Sequence, residues 1–227
     1  IMTSLPAIIV SKLSRIPCIC HIRQTRKLIR REVIFAKWID KIIVLNKDAY
    51  NFLKLNVPER KLTIIYNGID LDMFSNVEKS TFRSEFNWGS VFLVGLIGRI
   101  VKGKGQKEFV LMAKNILQKY PDIKIKFILV GDAKGDKADY FEEVKKLIAD
   151  NKLEQSVILA GWRNDIKNII YDLDVILQGS TTCTEGLPNI IIEAMALEKS
   201  VIATNISRWQ DTDMARFRTS WAPTTLD

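Results

Sequence analysis

A loop that combines glycines with positive charge is the first feature of this sequence with the means to do chemistry. The segment 98–105 reads Gly-Arg-Ile-Val-Lys-Gly-Lys-Gly and follows the apolar run 91–97. Where such a loop leads into a helix, backbone N–H groups point toward an anion, and the helix end adds roughly half a positive charge. Arg99 and Lys104 could then bracket a diphosphate, one as a planar fork and the other as a point charge. The segment matches neither the dinucleotide fingerprint nor the Walker loop, and taken alone it is better explained by solvated surface cations.

A second cluster places two carboxylates around a predicted helix start. The segment 185–196 reads Glu-Gly-Leu-Pro-Asn-Ile-Ile-Ile-Glu-Ala-Met-Ala. Pro188 suits the first helical turn, where its missing N–H costs nothing, so Glu185 lies in the loop and Glu193 inside the helix. A carboxylate among apolar residues needs a partner, and a vicinal diol such as a ribose offers two hydrogen bonds. A charge–dipole pair with one exposed glutamate explains the spacing equally well.

Residue types that commonly bind metals are sparse in this chain. Three Asp-x-Asp triplets occur at 70–72, 172–174 and 211–213, and such pairs can hold a metal–diphosphate complex. Turn and cap roles explain the first two better, and the third lies in an aperiodic tail, so we predict no metal site. His21, the one histidine, lies at the end of a predicted strand. A lone histidine is usually structural, although the carboxyl end of a strand favours a ligand-facing role.

The elements that must position these residues alternate along the chain. Continuous apolar runs predict strands at 18–22, 41–45, 62–65, 91–97, 123–130, 157–160, 174–177 and 201–203. Helical patterns lie at 27–39, 48–55, 81–86, 106–119, 140–150, 165–171 and 188–197, and the sequence starts with Ile1 inside a helical pattern. Strands that are apolar throughout are typical of parallel sheets with helices on both faces, so the pattern predicts an α/β protein. Ligands of such sheets bind at the carboxyl ends of the strands, where this sequence has glycines.

Composition indicates a soluble globular protein of a reducing compartment. The 227 residues are 47% hydrophobic and 26% charged, and no apolar run approaches the ~20 residues that a membrane-spanning helix needs. No signal-peptide pattern is present. Cys18, Cys20 and Cys183 form no Cys-x-x-Cys pair, which favours buried thiols over a disulfide or zinc site. We therefore expect a cytoplasmic location.

The net charge of +8 is concentrated at one end of the chain. Residues 1–40 hold eight basic residues against two acidic ones and so carry six of the eight net charges. Such a segment could meet anionic lipid head groups, nucleic acid or phosphorylated substrates, and a solvated helix face accounts for it equally well. Aromatic residues do not interleave with the basic ones as stacking platforms would, so we expect no nucleic acid partner.

Taken together, these motifs resemble the large family of retaining glycosyltransferases with two Rossmann-like doubly wound domains, family 4 of the GT-B type. The resemblance covers about residues 16–205. It rests on four motifs in the family's order: Tyr66-Asn67-Gly68-Ile69-Asp70 with Phe74, Gly98-Arg99 with Lys104-Gly105, Leu129-Val130-Gly131-Asp132, and Glu185-Gly186-Leu187-Pro188 through Glu193-Ala194-Met195-Ala196. It implies that residues 1–66 are the last portion of the acceptor-binding domain and 67–80 the connection. Residues 81–205 would be a truncated nucleotide-sugar-binding domain, and 206–227 an atypical tail.

The resemblance also implies roles for individual residues. Arg99 and Lys104 would hold the donor diphosphate, Glu193 would bind the ribose hydroxyls, and Glu185 would face the donor sugar. His21 resembles the acceptor-domain histidine that sits over that sugar, so His21, Arg99, Lys104 and Glu185 are the expected catalytic residues. Further donor-binding positions are Gly98, Gly131, Trp162, Arg163, Gly186, Leu187, Pro188 and Asn189.

The implied reaction is transfer of a sugar from a UDP- or GDP-sugar to a glycan or lipid-linked acceptor, with retention of configuration, in polysaccharide or cell-envelope glycan assembly. The nucleotide sugar is a substrate, and the family generally needs no metal or other cofactor. The basic segment 1–40 would dock the protein at the inner face of an anionic membrane. A sugar-nucleotide epimerase of the same plan would use additional histidines, and a non-catalytic nucleotide-binding fragment would bind without transfer.

The chain departs from the family pattern at both ends. After Thr204-Asn205 the family has a glycine-rich turn and an acidic helix start, whereas this sequence continues Ile206-Ser207-Arg208-Trp209. The opening strands of the acceptor domain and their glycine-rich loop are absent. We therefore expect the transfer activity to belong to an intact parent protein rather than to this chain alone.

Overall fold

The chain is an α/β protein with two parallel sheets, as the sequence predicted. The computed structural model describes residues 5–23, 30–75, 77, 81–133, 138–181 and 188–204. The chain divides into two compact units, and the change from the first to the second falls between Gly68 and Ile69. Each unit is built around a parallel sheet of its own.

The first unit carries a three-stranded parallel sheet in the order β1-β2-β3. Its elements are α1 (Leu5–Ser14), β1 (Ile19–Ile22), α2 (Arg30–Ala36), β2 (Lys41–Val44), α3 (Lys47–Leu53), the 3-10 helix Glu59–Lys61 and β3 (Leu62–Ile64). Ile8, Ile42 and Val44 are buried in its core. Helix α3 starts after Asn46, because the side-chain oxygen of Asn46 accepts a hydrogen bond from the Ala49 N–H at 2.7 Å.

The second unit carries a five-stranded parallel sheet in the order β6-β5-β4-β7-β8. Its elements are α4 (Asp72–Ser75), α5 (Thr81–Glu85), β4 (Phe92–Ile97), α6 (Gln106–Lys119), β5 (Ile125–Val130), α7 (Ala138–Asp150), β6 (Val157–Gly161), α8 (Ile166–Asp172), β7 (Val175–Gln178), α9 (Asn189–Ala196) and β8 (Ser200–Ala203). Successive strand residues point to opposite faces. Leu96 and Phe127 therefore pack in one cluster with residues of α6 and α7, while Leu93 and Ile128 pack in another with residues of α5, α8 and α9. Burial of both faces explains why these strands are apolar throughout.

The predicted elements match the observed ones closely. All eight predicted strands are present, with ends that differ from the prediction by two residues or fewer. The helix α4 and the 3-10 helix Glu59–Lys61 were missed, because a single turn is too short to show a 3.6-residue period. The start of α4 is fixed by Asp70, whose carboxylate accepts a hydrogen bond from the Asp72 N–H at 3.1 Å. This is the turn role expected for the first Asp-x-Asp triplet.

Arg83 ties α5 to the amino ends of β4 and β7. Its guanidinium donates to the Asp174 carboxylate at 2.7 Å and to the carbonyl oxygens of Asp172 and Val91 at 2.9 and 2.6 Å. The Asp172 carboxylate accepts from the Arg83 N–H at 2.8 Å, and the Asp174 carboxylate also accepts from the Leu93 N–H at 2.7 Å. The second Asp-x-Asp triplet therefore holds tertiary structure together, which is a longer-range role than the turn or cap we expected.

We predict that Arg83→Ala lowers the free energy of unfolding by about 2–4 kcal/mol, because several charged hydrogen bonds are lost and Asp174 loses its cation. Urea denaturation followed by circular dichroism measures the change. Lys145→Ala is the matched control, since it removes the exposed pair between Lys145 and Glu142 on α7, worth less than about 1 kcal/mol. Equal losses in the two variants would contradict the role of Arg83.

Candidate functional site

The strand order of the second unit reverses between β4 and β7. From β4 the chain moves outward to β5 and β6, and it then returns to β7 and β8 on the other side of β4. Open parallel sheets bind ligands at such a reversal, outside the carboxyl ends of the two strands. β4 ends at Ile97 and β7 ends at Gln178. The loop 98–105 singled out in the sequence therefore stands at the position where this architecture binds ligands.

Backbone hydrogen bonds join the loops that follow β4, β5 and β7. The Ile100 N–H donates to the Asp132 carbonyl oxygen at 3.1 Å, and the Thr181 N–H donates to the Gly103 carbonyl oxygen at 2.9 Å. The loop 98–105 is thus bonded on one side to the loop after β5 and on the other to the loop after β7.

Two glycines make this close contact possible. A Cβ atom added to Gly105, where φ is +85°, would lie 1.9 Å from the carbonyl oxygen of Gly179. A Cβ atom added to Gly131, where φ is +141°, would lie 2.0 Å from the carbonyl oxygen of Gly98. Both positions need glycine for their backbone conformation and for the space around them. The structure therefore brings together Gly98 and Gly131, two of the predicted site residues.

Two cations stand on the loop, at the start of a long helix. Arg99 is exposed and Lys104 is half-buried. The pKa of Lys104 is lowered, first by burial and then by the positive charge of Arg99. Gly105, the N-cap of the 14-residue helix α6, supplies no side-chain hydrogen bond to the first turn. Neighbouring cations beside such a helix N-terminus suit a multiply charged anion such as a diphosphate.

Glu193 is a half-buried carboxylate on α9, close in sequence to the buried residues Ile191 and Ala194. Burial raises the pKa of Glu193. Among the residues that the structure describes, its side chain has no hydrogen bond or ion pair. A carboxylate partly removed from water without a partner is costly, and this cost fits a side chain that binds a ligand.

The remaining predicted residues are more widely distributed. His21 is exposed, near the carboxyl end of β1 in the first unit. Trp162 directly follows β6 and is 65% exposed. Pro188 and Asn189 stand at the start of α9. The predicted residues Glu185, Gly186 and Leu187 lie outside the described residues.

Arg163 is held by other residues of the second unit. Its guanidinium donates to the Asp165 carboxylate at 2.9 and 2.8 Å and to the Glu85 carboxylate at 3.0 and 2.9 Å. It also lies 5.6 Å from the centroid of the Phe82 ring. The hydrogen bonds, with Asp165 first and then Glu85, raise the pKa of Arg163. The guanidinium of this residue, which the family resemblance places beside a nucleobase, thus ties the loop after β6 to α5.

Sequence reasoning missed several buried polar residues around the loop. Gln178 and Ser180 are buried, and the Gln178 amide donates to the Ser180 hydroxyl at 2.7 Å. The Thr204 hydroxyl donates to the Ser180 carbonyl oxygen at 2.6 Å. Gln106, the first residue of α6, is also buried. The signal available in the sequence was the position of each glutamine: Gln178 directly follows an apolar run, and Gln106 directly follows the turn glycine Gly105.

The described ranges contain neither a candidate metal cluster nor a membrane-spanning helix. There, no group of three or more histidine, cysteine, aspartate or glutamate side chains could hold a metal ion. The expected absence of a metal stays a prediction. No described helix combines the length and the apolar character needed to cross a membrane.

Comparison with known proteins identifies the family. The sequence model described as glycosyl transferases group 1 matches residues 91–215, more than half of the chain. The chain belongs to the glycosyl transferases group 1. Solved GT-B glycosyltransferases share its fold, which confirms the predicted fold class and, at the level of a GT-B glycosyltransferase, the family resemblance.

Two curated relatives illustrate the sequence similarity. The Escherichia coli UDP-Gal:alpha-D-GlcNAc-diphosphoundecaprenol alpha-1,3-galactosyltransferase is 29% identical over 217 residues, covering 88% of this chain and 54% of its own length. The Staphylococcus aureus capsular polysaccharide biosynthesis glycosyltransferase CapM is 30% identical over 163 residues, covering 68% of this chain and 40% of its own length. The chain thus spans about half the length of the curated relatives it matches.

Solved structures extend the similarity to the fold. Anabaena Alr3699/HepE in complex with UDP superposes with a TM-score of 0.76 at 25% identity, over 88% of this chain and 57% of that protein. The same protein in complex with UDP-glucose gives a TM-score of 0.74 at 25% identity, over the same shares.

We predict that Gly105→Ala destabilises the second unit by about 2–4 kcal/mol, because alanine is strained at this φ and its Cβ would meet the Gly179 carbonyl oxygen. Thermal unfolding followed by circular dichroism measures the loss. Gly68→Ala is the matched control, since an added Cβ there meets no atom within 4 Å. The two variants should differ clearly in Tm, and identical Tm values would show that the close contact is unimportant.

Proposed function

We propose that the intact protein is a retaining glycosyltransferase of family 4, which moves a sugar from a nucleoside-diphosphate sugar to a glycan or lipid-linked acceptor. The observation that carries the proposal is the cation pair Arg99 and Lys104 beside the N-terminus of α6, at the point where the strand order reverses. A diphosphate bound there would meet a guanidinium, an ammonium and helix N–H groups.

The names of similar proteins support a UDP-sugar as the first donor to test. The Escherichia coli relative is named for a UDP-Gal donor and a GlcNAc-diphosphoundecaprenol acceptor. The Anabaena protein was solved with UDP and with UDP-glucose. We propose polysaccharide or cell-envelope glycan assembly as the wider role, because other relatives are named for capsular polysaccharide and O-antigen biosynthesis. A GDP-sugar is the alternative donor.

In this proposal the protein acts mainly by stabilising charge. The bond between the anomeric carbon and the diphosphate oxygen breaks, and negative charge grows on the leaving diphosphate. Arg99, Lys104 and the first N–H groups of α6 would stabilise that charge. The acceptor oxygen bonds to the anomeric carbon on the same face, and its proton passes to the leaving diphosphate. This order of events retains the anomeric configuration and assigns no step to a metal.

The other predicted residues would bind and orient the donor. Glu193 would accept hydrogen bonds from the two ribose hydroxyls, which are the partners its carboxylate lacks within the described part of the chain. Trp162 would present its exposed ring to the base, with Arg163 holding that segment in place through its carboxylate partners. For Glu185 and His21 we propose the positions at the donor sugar that the family resemblance implies.

We predict that UDP raises the Tm of the 227-residue chain and that Glu193→Gln removes most of this rise. A ligand that binds only the folded state adds about 2.7 kcal/mol at about 100 times its Kd, and the variant loses two charge-assisted hydrogen bonds. Differential scanning fluorimetry with UDP, GDP, ADP and NAD measures the shifts. Glu154→Gln, at an exposed carboxylate before the amino end of β6, should respond to UDP as the unmodified chain does.

Glu193→Gln should also change how the Tm depends on pH when no ligand is present. Burial raises the pKa of Glu193, so its protonated form stabilises the fold at low pH and this stabilisation is lost as pH rises through the raised pKa. Without nucleotide, Glu193→Gln should therefore melt above the unmodified chain near neutral pH, with the difference in Tm closing toward about pH 4.

In the nucleotide-binding test, a cooperative melt with no shift for any nucleotide would overturn the donor site. Nucleotide binding without sugar transfer would favour a nucleotide-binding module.

We further propose that the protein is cytoplasmic and that its first unit binds the inner face of an anionic membrane. Helix α1 buries Ile8 but leaves Val10 and Leu13 58% and 80% exposed. Lys12 and Arg15 are exposed in the same segment. Apolar side chains beside cations are typical of helices that lie among lipid head groups.

Vesicle co-sedimentation tests the membrane proposal. The chain should pellet with vesicles that contain phosphatidylglycerol and stay in solution with pure phosphatidylcholine. Joint replacement of Lys12 and Arg15 by glutamine should weaken binding about ten-fold or more, since each basic residue near the surface contributes about 1 kcal/mol. Joint replacement of Lys124 and Lys146 in the second unit by glutamine changes net charge equally and should have a smaller effect. Equal effects would mean that overall charge, rather than α1, governs binding.

A further inference from the structure

The buried side chain of Gln106 joins the two ends of the loop 98–105. Gln106 is the first residue of α6, directly after Gly105, and its side chain is fully buried. Its amide NH2 donates a hydrogen bond to the main-chain carbonyl oxygen of Arg99 at 2.9 Å. The bond spans seven residues, so it joins the beginning of the loop to the helix that the loop leads into.

The orientation of the Gln106 amide is dictated by this bond. A reversed amide would place its oxygen against the Arg99 carbonyl oxygen, and two acceptors would repel each other. With the NH2 group toward Arg99, the amide oxygen is buried and finds no hydrogen-bond donor in the described structure. A buried acceptor without a partner costs free energy. The fold therefore keeps the hydrogen bond to the Arg99 carbonyl oxygen although this leaves the Gln106 amide oxygen unsatisfied.

The hydrogen bond from Gln106 connects Arg99 to the N-terminus of α6, the two groups that the proposed function assigns to the diphosphate. The loop is already bonded to its neighbours, through the Ile100 N–H to Asp132 and through the Gly103 carbonyl to Thr181. Neither of these bonds connects the main chain of Arg99 to the N-terminus of α6. The Gln106 amide makes that connection directly, because it belongs to the first turn of α6 and binds the peptide group that carries the Arg99 side chain.

We propose that Gln106 is a positioning residue of the nucleotide-binding site, which fixes Arg99 relative to the N-terminus of α6 so that both can meet one diphosphate. This inference rests on the function proposed above and assigns a role to a residue that contributes through Arg99 rather than by touching the ligand. A merely structural residue would lower stability when it is removed. Gln106 should instead lower diphosphate affinity with little loss of stability.

A double-mutant cycle with Arg99 tests the proposal on the 227-residue chain. Gln106→Met keeps length and helix propensity but removes both the donor and the unsatisfied oxygen. Its Tm without ligand should change little, because losing the hydrogen bond to Arg99 and losing the unsatisfied oxygen oppose each other, while its Kd for UDP, measured by isothermal titration calorimetry, should rise about ten-fold. In an Arg99→Ala background the same substitution should change the Kd much less. Gln118→Met, at an exposed glutamine of the same helix, should change neither quantity.

The outcomes distinguish a failure of the role proposed for Gln106 from a failure of the proposed function. If the unmodified chain binds UDP and Gln106→Met binds it equally well, or if the loss is the same with and without Arg99, the role of Gln106 is overturned and the proposed function stands. If the unmodified chain binds no nucleoside diphosphate, both fall. Should Gln106→Met not melt cooperatively, Gln106→Glu takes its place. Only the protonated carboxyl of this variant can donate to the Arg99 carbonyl oxygen, so its affinity for UDP relative to the unmodified chain should improve as pH falls. A ratio of the two Kd values that does not change with pH overturns the proposal.

Discussion

The close approach of backbone segments where β4 and β7 end is the constraint on which the second unit depends. Gly105 lies against Gly179 and Gly131 lies against Gly98, at distances that exclude any side chain. These contacts join the loops after β4, β5 and β7 into one platform. Both cations of the site and the N-terminus of α6 lie on the loop that the contacts fix, so their arrangement follows from packing of the main chain. Such platforms suit ligands that are held partly by peptide groups.

Burial acts against charge on two side chains of the second unit. It lowers the pKa of Lys104 and raises the pKa of Glu193, so removal from water disfavours the charged form of each. Glu193 also has no side-chain partner within the described structure. An anionic ligand that also offers hydroxyl groups would favour both charged forms, because the ammonium gains an opposite charge and the carboxylate gains hydrogen-bond donors. The same burial that disfavours these charges would therefore strengthen their interaction with such a ligand.

The order of elements was predictable because apolar runs and helical periods are local signals. Helix α6 begins and ends at the residues that its pattern predicted, Gln106–Lys119. What the sequence could not show depends on partners that are distant along the chain. Arg163 binds Glu85, 78 residues earlier, and Arg83 binds Asp174, 91 residues later. No local pattern distinguishes an arginine with such a partner from one that awaits a ligand, so the position of the loop 98–105 after β4 was predictable and the pairing of Arg163 was not.

The pairing of arginine side chains gives an independent reason to propose a ligand site where β4 ends. At the amino ends of β4 and β7, Arg83 and the two aspartates that it binds satisfy one another with backbone groups. At the carboxyl end of β4, Arg99 has no side-chain partner in the ranges described, and its main chain is held by Gln106 instead. Arg163, which follows the edge strand β6, is paired like the structural group although it also lies at a carboxyl end. In the sheet order, the paired Arg163 follows a strand two places from β4, whereas Arg99 follows β4 itself, beside the reversal. This contrast is the one expected if ion pairs stabilise the fold elsewhere and a ligand completes the site at the reversal.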